Sequence, residues 1–91
     1  MRPDKDASRR EILFYYRDDC HLCEEMAKVL QYQWPALFAQ IEWRDVDLNT
    51  EWQASFGLLI PALVVDEKLI CNYMVEPEKI NACFSKVQNP V

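Results

Sequence analysis

No apolar run in the 91 residues approaches membrane-spanning length, and the charged amino terminus, Met1 to Arg10, lacks the apolar core of a secretory signal. These absences argue against a membrane-embedded or secreted protein and predict a soluble, cytoplasmic one. Basic side chains are outnumbered, with ten Lys and Arg against fifteen Asp and Glu and a net charge of −5, so nucleic acid and anionic membranes are not expected as partners, and a basic or neutral partner fits better. Glycine is almost missing: Gly57 stands alone. A residue used once is expected where the backbone needs a positive φ, and its place after a short helical segment predicts a C′ cap. No internal repeat or low-complexity stretch interrupts the chain.

What is present is the composition of a globular domain, 51% hydrophobic, at a length that can bury one core. Residues 1–10 have no periodicity and read as a flexible leader, leaving 11–91 as one domain, expected to be monomeric. Ile12-Leu13-Phe14-Tyr15-Tyr16 is a continuous apolar run of strand length, as expected for a central strand covered on both faces. From Cys20 onward Leu22, Met26, Val29, Leu30 and Gln33 recur on one helical face, and Pro35 after Trp34 stops or restarts that helix. Ile41-Glu42-Trp43-Arg44 alternates like a half-exposed edge strand.

Asn49 or Thr50 caps a short helix, Thr50 and Gln53 having capping-box spacing, and Trp52 and Phe56 share its buried side. Ala62-Leu63-Val64-Val65 is a second buried strand. Lys68 to Tyr73 alternates, with Leu69, Cys71 and Tyr73 predicted on one face, and Asp66-Glu67 between the two runs makes an antiparallel hairpin. Glu76-Pro77 opens a last helix whose stripe is Ile80, Cys83, Phe84 and Val87, ended by Asn89-Pro90. The order β-α-β-α-β-β-α, with right-handed crossovers, predicts an α/β fold: a four-stranded mixed sheet flanked by three helices.

The chemistry concentrates in Cys20-His21-Leu22-Cys23, where the first strand hands over to the first helix. A thiol at a helix N-terminus lies beside unpaired N–H groups and the positive dipole end, which favours the thiolate. A second thiol one turn on can close a disulfide. The pair therefore reads as redox-active, with Cys20 as the attacking thiol and Cys23 as the shielded resolving one. A zinc site would need two more ligands, and Cys71 and Cys83 lie inside a strand and a helix without ligand spacing; they read as core thiols. Zinc is left only as an intermolecular site. His21 could donate to or stabilise the Cys20 thiolate, or at the second helical position simply point to solvent, the slightly favoured reading; Asp18 and Asp19 favour the helix start but repel a neighbouring thiolate. Trp34, Trp43 and Trp52 read as core or rim residues. Ile60-Pro61 precedes a buried strand, where proline marks the strand start; a trans bond is the commoner isomer, and a cis bond would present the Ile60 backbone to an extended substrate.

Taken together, the strand, Cys-x-x-Cys and helix of Ile12 to Leu30, the Ile60-Pro61 loop and the terminal hairpin and helix of Leu63 to Val87 resemble the thioredoxin-fold superfamily. Within it they resemble the glutaredoxin-like proteins, from Glu11 to Val87. The resemblance implies a thioredoxin-like fold, a cis bond at Ile60-Pro61 beside the cysteines, and thiol–disulfide exchange through Cys20 and Cys23. It also implies a role for Arg17, three residues before Cys20, where glutaredoxins carry a basic residue that binds the glycyl carboxylate of glutathione. Two departures stand against efficient glutathione use: His21-Leu22 replaces the usual aromatic residue, and Asn72-Tyr73-Met74-Val75 replaces a glycine pair followed by an acid. The expected partners are a protein disulfide substrate and, as electron donor, a reductase or glutathione as co-substrate, with no bound cofactor. Two alternatives remain: a redox-inactive binding module docking through Leu58-Leu59-Ile60-Pro61, and a metal or iron–sulfur carrier bridging Cys20 thiolates between two copies.

Overall fold

Hydrophobic alternation in two fully apolar strands organises the structure, a computed structural model that describes residues 10–84. Strand β1 (Ile12–Tyr16) lies between β2 (Ile41–Asp45) and β3 (Ala62–Val65), and β4 (Lys68–Asn72) closes the order β2-β1-β3-β4. β1 runs parallel to β2 and antiparallel to β3, and β3 runs antiparallel to β4. The central pair is buried almost throughout and the two edges are half exposed, as their composition predicts.

Because side chains alternate, one face of the sheet carries Ile12, Phe14, Leu63 and Val65. These pack with Met26 and Leu30 of helix α1 (His21–Gln33), Leu37 of α2 (Pro35–Phe38) and Ile80 of α4 (Pro77–Phe84). The other face carries Leu13, Tyr15, Ala62 and Val64 against Val46 and against Trp52 and Phe56 of α3 (Thr50–Phe56). Leu30 and Ile80 are fully buried, and each such side chain contributes about 1.5–3 kcal/mol. The mixed α/β sheet matches the predicted topology. The additions are α2, one turn restarted at Pro35, and a 3-10 turn at Val46–Leu48. The expected leader 1–10 falls, but for Arg10, outside the described residues, as does the end of the last helix at Val87 and Asn89-Pro90.

Three local expectations change. Gly57 has φ −56°, an ordinary helical value, so positive φ is not its reason for being glycine. A Cβ there would meet the Gln53 carbonyl oxygen at 2.5 Å, and the close approach of backbone to backbone is what excludes a side chain. Asn49, not a Thr50–Gln53 box, caps α3: its Oδ1 accepts from the N–H groups of Glu51 and Trp52 at 2.9 and 3.0 Å. In β4, Cys71 pairs with Leu63 but Leu69 pairs with Val64, which leaves Ile70 as an extra residue in a bulge. Ile70 and Cys71 therefore both pack on the first face while Leu69 is exposed, and the predicted Leu69, Cys71, Tyr73 stripe does not exist.

Candidate functional site

All the candidate residues gather at one end of the sheet. Tyr15 pairs with Ala62, Ala62 with Asn72 and Tyr16 with Asp45. The chain therefore leaves β1 toward Cys20, leaves β2 toward Asp47, enters β3 from Ile60-Pro61 and leaves β4 toward Tyr73 at that same end.

After β1 the backbone turns through Asp18-Asp19, with Asp19 at φ 60°, a conformation that aspartate tolerates better than most residues. Cys20 then takes the N-cap position of α1 in extended conformation, φ −111° and ψ 105°. Its carbonyl accepts the Glu24 N–H at 3.1 Å and its Sγ accepts the Cys23 N–H at 3.1 Å. Sulfur thus does what a serine or aspartate oxygen does at other helix starts. Cys20 and Cys23 are joined as a disulfide with Cα atoms 5.2 Å apart; Cys20 is half exposed, whereas Cys23 is 4% exposed. One sulfur faces solvent under the helix N-terminus and the other is covered, the asymmetry that directional thiol–disulfide exchange uses.

The surroundings are acidic. Asp18, Asp19, Glu24 and Glu25 are exposed, and the His21 ring is exposed near Glu25, with Nε2 3.6 Å from Oε2. The phenol of Tyr16 at the end of β1 is held above its ordinary pKa, first by desolvation and then by the carboxylates of Asp45 and Asp18. Arg17 does not stand free beside Cys20: its Nε lies 3.0 Å from both carboxylate oxygens of Asp47, and Gln53 Nε2 donates to Asp47 Oδ1 at 3.3 Å.

The Ile60–Pro61 peptide bond is cis. Pro61 is buried and its carbonyl accepts the Tyr73 N–H at 2.9 Å, while among the described residues the Ile60 N–H and carbonyl have no hydrogen-bond partner. Tyr73 has φ 69°, and its hydroxyl donates to the Leu58 carbonyl at 2.6 Å. This left-handed residue stands in the segment where a glycine pair was missed. The backbone turns with tyrosine instead, and the side chain ties β4 to the loop before Pro61.

Cys71 is buried in the core and Cys83 half-buried, its Sγ donating to the Ile80 carbonyl at 3.3 Å. Burial pushes both thiols above their ordinary pKa. Trp34 lies against the first core with Nε1 donating to Asn81 at 2.9 Å, Trp43 packs edge-on to Phe14, Tyr16 and Phe38, and Trp52 lies under the Arg44 guanidinium. No three His, Cys, Asp or Glu side chains gather as metal ligands among the described residues. Sequence reasoning did not anticipate Asp47, thirty residues from Arg17, nor an apolar groove of about 200 Å³ beside the cysteine pair. Its first signal is Leu22, an apolar residue between the cysteines that remains 53% exposed.

Residues 11–85 match the family model described as Glutaredoxin-like domain (DUF836). Among solved structures the chain is similar to the solution NMR structure of protein Ne2328 from Nitrosomonas europaea. That match has a TM-score of 0.73 and 28% identity, and covers 85% of this chain and 93% of the other. No curated protein matches the chain.

Proposed function

The chain belongs to the glutaredoxin-like family, and on that premise we propose that it is a thiol–disulfide oxidoreductase acting on a protein disulfide through Cys20 and Cys23. The observation that carries this is the N-cap position of a half-exposed Cys20 over a buried Cys23, within bonding distance of each other. In the reduced protein the Cys20 thiolate, held by the Cys23 N–H and the helix dipole, attacks one sulfur of the substrate disulfide. That bond breaks, a mixed disulfide forms at Cys20, and the departing sulfur leaves as a thiolate that takes up a proton. Cys23 then loses its proton and attacks Cys20 Sγ, which releases the second substrate thiolate and closes Cys20–Cys23. Two electrons pass from the pair to the substrate.

The unpaired Ile60 N–H and carbonyl beside Pro61 support an extended substrate backbone docking there. A donor must return two electrons to the pair. A dithiol reductase suits this site better than glutathione, because Asp47 already engages Arg17 and Tyr73 stands in the segment where a glycine pair would leave room. A reducing compartment, the cytoplasm, suits such a cycle, with the protein working as a monomer.

Insulin reduction under a dithiol donor tests the reading. Turnover above the donor alone is expected, abolished by Cys20→Ser, and Cys23→Ser should accumulate a mixed disulfide with insulin. Wild-type protein that adds nothing to the donor rate would refute it.

A further inference from the structure

The first turns of α1 carry an apolar stripe that nothing in the fold fully covers. Cys23, Met26 and Leu30 turn into the core, but Leu22 is 53% exposed and Val29 only partly buried. Opposite them the chain leaves β4 through Tyr73, Met74 and Val75, with Met74 66% exposed. Leu22, Met26 and Val29 on one side and Tyr73, Met74 and Val75 on the other enclose a groove of about 200 Å³. It begins between the two cysteines, at Leu22, next to Cys23 and two residues from Cys20. Its far wall is held to the substrate loop, because Tyr73 donates through its N–H to Pro61 and through its hydroxyl to Leu58.

The chemistry of the walls selects the occupant. The volume takes one large side chain, not a whole small molecule of drug size. The one charged residue on the wall is Glu25. A charged amino-acid end pressed into this groove would be desolvated against methionine, leucine and valine without a cationic partner, at considerable cost. Arg17 is bonded to Asp47, and neither it nor Lys28 of α1 lines the groove. Glu25 is exposed, so its carboxylate is open to a cation that approaches the groove.

We propose that this groove is a subsite for one large apolar side chain of a cysteine-containing polypeptide whose neighbouring residue is lysine or arginine. The proposal rests on the redox reading above and names the substrate class of that same site. The apolar side chain fills the groove, the basic neighbour meets Glu25, and the substrate sulfur is left beside Cys20.

Blocked peptides test it: Lys-Leu-Cys-Leu-Lys, Lys-Ser-Cys-Ser-Lys and Glu-Leu-Cys-Leu-Glu, each as a mixed disulfide with 2-mercaptoethanol. Reduced protein should react with the first about tenfold faster than with the second. The third should lag the first by about threefold, a gap that closes in about 0.5 M salt. Met74→Asp, at an exposed position, should bring the Leu-to-Ser ratio near one. In a second arm the Leu peptide with serine in place of cysteine is added to the oxidised protein, and methyl shifts are followed at Leu22, Val29 and Met74. Equal rates for the Leu and Ser peptides, or peptide-induced shifts confined to other methyl groups, would overturn the subsite. Failure of every peptide and of bis(2-hydroxyethyl) disulfide to oxidise the pair would refute the redox reading instead, and the serine peptide would still judge the groove.

Discussion

Arg17 and Asp47 form a closed pair at the mouth of the site: one guanidinium nitrogen lies 3.0 Å from both oxygens of one carboxylate. An internal carboxylate therefore already occupies this cation. Both partners are partly exposed, so the pair is weak in stability terms, yet a soluble anion must displace it.

Asp47→Ala should accordingly raise glutathione-dependent turnover, by about two- to fivefold, while turnover with a dithiol donor stays level. Steady-state rates with each donor measure both. A glutathione rate unchanged or lowered in the variant would show that Arg17 does not receive glutathione.

After full reduction at pH 8, alkylation followed by mass spectrometry should label Cys20 first, Cys83 more slowly and Cys71 last. Cys20 is half exposed at a helix start, whereas burial holds the other two thiols above their ordinary pKa and Cys71 is 2% exposed. Labelling of Cys71 or Cys83 ahead of Cys20 would move the reactive thiol elsewhere.

Gly57→Ala sets two effects against each other. The helical φ of −56° suits alanine, which gains about 1 kcal/mol over glycine in a helix interior. The new Cβ would lie 2.5 Å from the Gln53 carbonyl oxygen, a backbone atom that cannot swing aside, and such overpacking costs about 1–3 kcal/mol. Overlap should win, with a net loss of about 1 kcal/mol in urea unfolding.

Acid should weaken the hairpin turn. Desolvation pushes the Asp66 carboxyl upward, but hydrogen bonds from Arg10 and the Glu11 N–H outweigh it and hold the pKa below its ordinary 3.8. Near that pH the unfolded chain binds more protons at this site than the folded one, so the contribution is present above about 3.8 and is lost as pH falls through the lower folded value. Asp66→Asn should flatten that part of the stability profile, as followed by urea unfolding at stepped pH.

The elements legible in the primary structure are those whose signal is local. The unbroken apolar runs of β1 and β3 announce central strands, and Pro35 and Pro77 sit at the first positions of α2 and α4. The site is legible to the same extent: Cys20 caps α1 because a strand, a turn and Cys-x-x-Cys stand in that order. The periodicity of α1, by contrast, placed Leu22 with Met26 and could not tell which end of the stripe the fold would leave open. The bulge at Ile70 had no warning, because one extra residue shifts alternation without changing composition.

By itself, then, the order of residues determined the four strands, the placement of the main helices and which thiol caps α1, since each depends on neighbours within a turn or a pleat. Only the tertiary structure decided that Asp47 would hold Arg17, that Tyr73 would be tied to Leu58 across fifteen residues, and that Leu22 would face an open groove. Those contacts join segments that the sheet register brings to one end, and register is a property of how distant apolar faces pack against one another, which no local pattern encodes.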